Sequence, residues 1–195
     1  MQVKAPMRTL LLFDRKGCND EGVGDAFTEL SSSLSKSWTI DAYIYGKTFP
    51  AGAHGTKRSE LLEMLTSLRN IKTGKVLFVI EAHGVLRRQG EKTHSIDIEN
   101  GIFSLDTLEK PIQDLRRRGI QVALVDLTCY SGTTQALEDI RNLCIITDGT
   151  VNYVTASTDD EDLGFFDRAF VANARDEQLS SLEDLFLRAA YLGQA

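Results

Sequence analysis

The 195-residue sequence predicts a three-layer α/β/α sandwich around a mostly parallel sheet of about six strands. Several short runs are continuously apolar, which is how strands read when helices cover both faces of their sheet. Amphipathic stretches with apolar residues at helical spacing separate those runs. No repeat, low-complexity tract or linker interrupts the pattern, so residues 1–195 read as a single domain.

In chain order, Thr9 to Phe13 (TLLLF) is the first buried strand. A helix follows with Phe27, Leu30 and Leu34 on one face. Trp38 to Gly46 (WTIDAYIYG) is strand-like in its β-branched and aromatic residues. KRSELLEMLTSLRN is an amphipathic helix with a stripe of Leu61, Leu62, Leu65 and Leu68. Lys75 to Gly84 (KVLFVIEAHG) is a second buried strand. HSIDIENGIFSL alternates and carries an Asn-Gly dipeptide, the signature of a hairpin. SLDTLEKPIQDLRRRG is a helix that stops at Gly119. IQVALVDL and VNYVTAS are further strands. Two helices close the chain, the last opened by Ser180 with Glu183 three residues on, a capping box.

The net charge of −6 argues against nucleic-acid binding, which needs a basic face. Arg116-Arg117-Arg118 lies beside acids and reads as a solvated helix face. Three cysteines suit reduced thiols in a reducing compartment. No apolar run approaches the roughly 18 to 20 residues of a membrane span. These features predict a soluble, cytoplasmic chain with no membrane partner. Zinc-ligand spacing, phosphate-binding glycine motifs and a Gly-x-Ser-x-Gly elbow are absent, so no metal or cofactor is expected. Cys144, in NLCIIT, reads as core, Cys18 as a spare thiol, His54 as a loop residue, and His94 as a solvent-facing residue opening the hairpin.

In parallel sheets, chemistry collects beyond the carboxyl ends of the strands. Two ends carry reactive groups. Val76 to Ile80 runs into Glu81-Ala82-His83-Gly84, and Val122 to Val125 into Asp126-Leu127-Thr128-Cys129-Tyr130-Ser131-Gly132. A lone cysteine is most often buried and inert. The conjunction with a histidine changes that. On neighbouring strands about 4.8 Å apart, thiol and imidazole would face each other as a nucleophile and its base. A glycine follows His83 at once and Cys129 after two residues, and glycine lets a substrate backbone approach.

A strand ending in His-Gly and a later one ending in Cys resembles the caspase-like cysteine peptidases. In caspases the His precedes the Cys by about 50 residues; here His83 and Cys129 are 46 apart. Cys129-Tyr130-Ser131-Gly132 is similar to the Cys-x-Ser-Gly of the legumain and metacaspase branches. Tyr153 to Glu161 resembles the legumain segment that ends the next strand. The chain has Leu127 where metacaspases and clostripain-like enzymes place an acid two residues before the cysteine. Asp126 stands one position earlier, and Ala82 precedes the His.

The resemblance implies a cysteine endopeptidase with catalytic His83 and Cys129 and an oxyanion hole from the backbone N–H groups of Gly84 and Cys129. Its substrate would be a peptide or protein. Arg15, Leu127, Ser157 and Asp160 are candidate substrate-binding residues. The acids Asp159 to Asp162 tilt the expected preference toward a basic residue before the cut, against Arg15, which caspases would use for an acidic one. Caspase-like enzymes include dimers, so an oligomer is compatible with the resemblance. Two other readings stay open: a caspase-fold binding module that cleaves nothing, and a flavodoxin-like sensor with a chance cysteine.

Overall fold

The computed structural model describes residues 7–14, 32, 39–44, 54–86, 88–137 and 143–147; for 7–14 and 44 it describes the backbone. In chain order the strands are β1 (Met7–Asp14), β2 (Thr39–Ile44), β3 (Lys75–Ala82), β4 (Gly84–Val85), β5 (Ser95–Ile98), β6 (Gly101–Ser104), β7 (Gln121–Asp126) and β8 (Cys144–Thr147). The helices are α1 (Arg58–Ser67) and α2 (Glu109–Arg117). Short 3-10 turns cover Leu68–Asn70, Leu105–Leu108 and Ser131–Leu137.

Five strands form one sheet in the order β2-β1-β3-β7-β8, and every pairing is parallel. β4, β5 and β6 form a small antiparallel sheet. The α/β sandwich with a parallel sheet is therefore the observed architecture. The expected VNYVTAS strand, the helix around Phe27 and the two closing helices lie outside the described residues.

Both faces of the central strands are buried, as their unbroken apolar runs require. Val76, Phe78, Ile80, Ala82, Val122 and Leu124 form one face. They share a core with Leu61, Met64, Leu65 and Leu68 from α1 and its following turn, with Ile112 and Leu115 from α2, and with Ile96, Ile98 and Phe103 from the hairpin. Leu77, Val79 and Val125 on the opposite face are buried too. The stripe on α1 departs from expectation by one residue. Leu62 is 44% exposed and Met64 is buried in its place. Positions 61, 64, 65 and 68 follow the i, i+3, i+4, i+7 spacing of a helix face; position 62 does not.

Pro111 sits in the first turn of α2, where its missing N–H costs no helical hydrogen bond. Gly119, with φ of 79°, ends that segment in the left-handed region open to glycine. The β5–β6 hairpin forms as expected, but its turn falls one residue early. Ile98 pairs with Gly101, so Glu99 and Asn100 make the loop and Gly101 absorbs the positive φ of 134°.

The basic run at the end of α2 is more than a solvated face. The Arg118 guanidinium donates to the carbonyls of Leu68, Arg69 and Ile71 at 3.1, 3.0 and 2.6 Å. It thereby adds donors to carbonyls at the end of α1 and its following turn, that of Leu68 already accepting the Ile71 N–H. Cys144 is exposed at the start of β8 and not in the core; Leu143 and Ile145, on the alternate positions, pack against the core instead.

Candidate active site

β3 and β7 are adjacent and parallel, and their register sets the site. Lys75 pairs with Gln121 and Ile80 with Asp126, each pair 46 residues apart. His83 and Cys129 are separated by the same 46 residues. The Leu127 N–H closes that last pair by donating to the Ile80 carbonyl at 2.9 Å. His83 and Cys129 each lie three residues beyond that pair, past the ends of β3 and β7 at the carboxyl edge of the sheet. His83 is exposed and Cys129 half-buried, a free thiol.

The two segments touch through backbone. A Cβ placed on Gly84 would lie 1.9 Å from the Cys129 carbonyl oxygen and 3.0 Å from its Cα. Only glycine fits there, so the residue after the histidine packs directly on the cysteine. Tyr130, the residue after the thiol, has φ of 65°, the one non-glycine positive φ among the described residues. Such a conformation stores about 1–3 kcal/mol and is concentrated at functional sites. It turns the chain into the 3-10 segment, where the Ser131 and Thr133 N–H groups donate to the carbonyls of Thr128 and Tyr130.

The small sheet ties the histidine segment down. Asp97 donates its N–H to the His83 carbonyl at 2.9 Å, and Gly84 and Val85 pair with Ile96 and Ser95. The same hairpin reaches the cysteine segment through His94, which is 0% exposed. The solvent-facing reading of His94 is thus corrected: the ring turns inward because buried polar partners await it there.

Those partners form a chain. Nδ1 of His94 lies 2.9 Å from Thr133 Oγ1 and Nε2 2.5 Å from Thr128 Oγ1. Thr128 Oγ1 donates to Asp126 Oδ1 at 2.7 Å, and the Thr134 hydroxyl donates to Asp126 Oδ2. Each hydroxyl has one hydrogen to give. With the Thr128 hydrogen committed to Asp126, Nε2 is the donor to Thr128. Thr133 Oγ1, which accepts the His94 backbone N–H, has its hydrogen to give to Nδ1, and in that arrangement the imidazole is neutral and the Asp126 carboxylate, with three donors on it, is ionised. Burial pushes the His94 pKa down, against the attraction of Asp126. Burial also pushes the Asp126 pKa up, against His94 and the hydrogen bonds from Thr134 and Thr128. No sequence motif marks this cluster. The available signal was the polarity of Asp126 and Thr128 directly after a buried strand.

Leu127, the first residue past β7, is 3% exposed. Arg15, Ser157 and Asp160 lie outside the described residues. Among the described residues no group of His, Cys, Asp and Glu is placed to hold a metal ion. No helix among them is long and apolar enough to cross a membrane.

A solved structure shares this architecture. It is a secreted C11 cysteine protease from Bacteroides thetaiotaomicron, in complex with an irreversible peptide inhibitor. The match has a TM-score of 0.51 at 12% identity and covers 96% of this chain and 57% of that one. The fold is caspase-like. This chain spans little more than half the length of that neighbour. No protein-family model matches the sequence, and no curated protein matches it. In this fold His83 directly follows β3, and Cys129 lies three residues past the end of β7. In the strand order β2-β1-β3-β7-β8 the direction of winding reverses between β1 and β3, and a nucleotide-type crevice would open there. The His–Cys pair lies one strand away.

Proposed function

We propose that this chain is a cysteine endopeptidase working through Cys129 and His83. The observation that supports the reading is that His83 and Cys129 follow the ends of neighbouring parallel strands, separated by the same 46 residues as the paired strand positions, with Gly84 packed on the Cys129 backbone. Cys129 Sγ, its proton taken by the His83 ring, adds to the scissile carbonyl. The developing oxyanion is met by the backbone N–H groups of Gly84 and Cys129, two residues whose backbones pack on one another. His83 then protonates the leaving amine, leaving a thioester on Cys129. Water adds to that thioester with His83 as base, releasing the acid and restoring the thiol.

The fold shared with a cysteine protease supports this class of chemistry. The Cys129-Tyr130-Ser131-Gly132 stretch supports a place beside the legumain and metacaspase branch. The run Asp159 to Asp162, with Ser157 nearby in sequence, supports a basic residue before the cut. The small, odd number of cysteines supports a reducing, cytoplasmic setting.

Cleavage of a positional peptide library by the chain and by Cys129→Ala tests the proposal. The parent should cut, with arginine or lysine enriched before the cut, and Cys129→Ala should lose activity by at least ~1000-fold, as removal of a nucleophile does. Undiminished cleavage by the variant would refute the assignment. A parent that cuts nothing would favour the binding-module reading.

A further inference from the structure

We propose that the buried His94–Thr128–Asp126 chain is a positioning latch that holds Cys129 in register with His83. The inference rests on the dyad proposed above and adds residues that the dyad does not include.

The hairpin carrying His94 is fastened to both halves of the site. On the histidine side, the Asp97 N–H binds the His83 carbonyl and β5 pairs with Gly84 and Val85. On the cysteine side, His94 Nε2 meets the hydroxyl of Thr128, the residue immediately before the nucleophile. The His94 N–H and Nδ1 both meet Thr133 Oγ1, four residues after the nucleophile, at 2.8 and 2.9 Å. One imidazole therefore brackets Cys129 from both directions along the chain. Asp126 closes the bracket from below, accepting from the Thr128 hydroxyl and N–H and from the Thr134 hydroxyl.

The approach to His94 is itself pinned. The Thr93 N–H and hydroxyl donate to Asp106 Oδ1 at 2.9 and 2.8 Å, and the Lys92 N–H to Asp106 Oδ2 at 2.9 Å. His94, Asp126, Thr128 and Thr134 are fully buried, so none of them can touch a substrate. Five polar side chains sunk beside an apolar core are costly unless mutually satisfied. Here their hydrogen bonds converge on the segment that holds the thiol, which is strained at Tyr130 and would relax without them.

The test is the rate at which iodoacetamide alkylates Cys129 near neutral pH, located by peptide mass mapping. Folding is checked by circular dichroism. Thr128→Val keeps shape and removes the hydroxyl, and it should slow alkylation of Cys129 about 10-fold by moving the thiol out of reach of His83. Thr128→Ser restores the hydroxyl and should stay within about twofold of the parent. Thr133→Val cuts the chain on the far side of His94. It should slow alkylation in the same direction, and it serves if Thr128→Val does not fold. His83→Ala should be as slow as Thr128→Val.

Parental rates in both valine variants would overturn the latch. A faster rate would overturn it as well, since that is the mark of a loop merely loosened. If His83→Ala alkylates at the parental rate, the dyad fails and the latch falls with it. If His83→Ala is slow and both valine variants are not, the dyad stands and only the latch is lost.

Discussion

Gly84 shows how one missing methyl can hold a site together. The space its Cβ would occupy is filled by the carbonyl of Cys129 at 1.9 Å, so the alanine variant must push the two strand ends apart. The obstacle is backbone, which cannot swing aside as a flexible side chain could. Gly84→Ala is therefore expected to lower peptide cleavage about 100-fold, the usual cost of displacing reacting groups by an ångström. The measurement is kcat/KM beside that of the parent. Parental activity would mean that the contact does not set the geometry. The glycine after the histidine was legible in the sequence as a place of close approach. That the approaching group is Cys129's own backbone was not, because nothing local in the sequence says which strands are neighbours.

At the scale of elements, the ends of helices repay the same attention. Arg118 gives hydrogen bonds to three carbonyls at the end of α1 and its following turn, joining two helices far apart in the chain. Arg118→Ala should lower stability by about 1 kcal/mol, since the group is exposed and water replaces part of what is lost. Arg118→Lys should not restore it, because an ammonium lacks the planar fork that spans several acceptors. Urea midpoints would show both effects; an unchanged midpoint in the alanine variant would refute the capping role. Elements like β3, β7 and α2 could be read from sequence because their apolar periodicity is strong over six to ten residues. Arg118 and His94 could not. A charged run reads as solvated and a histidine opening a hairpin reads as exposed until the third dimension supplies their partners. Leu62 went astray for a simpler reason: it lies outside the i, i+3, i+4, i+7 row that Leu61, Met64, Leu65 and Leu68 occupy.

Taken as a whole molecule, the sheet assembles a candidate site from segments that are 46 residues apart, and the buried cluster beside it couples stability to pH. His94 has its pKa lowered by burial from the ordinary 6.5, with Asp126 opposing. Below that value the unfolded chain takes up a proton that the folded chain resists, so this contribution to stability is lost as pH falls through 6.5. Asp126 has its pKa raised by burial from 3.8, against His94, Thr134 and Thr128. Its contribution runs the other way, declining as pH rises from 3.8 through the raised value. His94→Gln removes only the first. The variant, less stable at about pH 7.5, should lose less further stability than the parent on moving to about pH 5.5, as read by urea midpoints. An equal or steeper loss would mean that His94 is not held neutral.

The three-layer architecture and the parallel sheet were readable from the alternation of apolar runs and amphipathic stretches. That His83 and Cys129 both stand beyond strand ends was readable too, but that their strands are neighbours is a property of the assembled sheet. The most direct measurement of the His–Cys pairing is mass mapping after treatment with a peptidyl acyloxymethyl ketone carrying arginine at the reactive end. A single adduct on Cys129, lost in His83→Ala and absent from Cys18 and Cys144, is the expected result. Labelling spread over all three cysteines, or adduct formation on Cys129 that ignores both the peptide and His83, would contradict a catalytic dyad on these two strand ends.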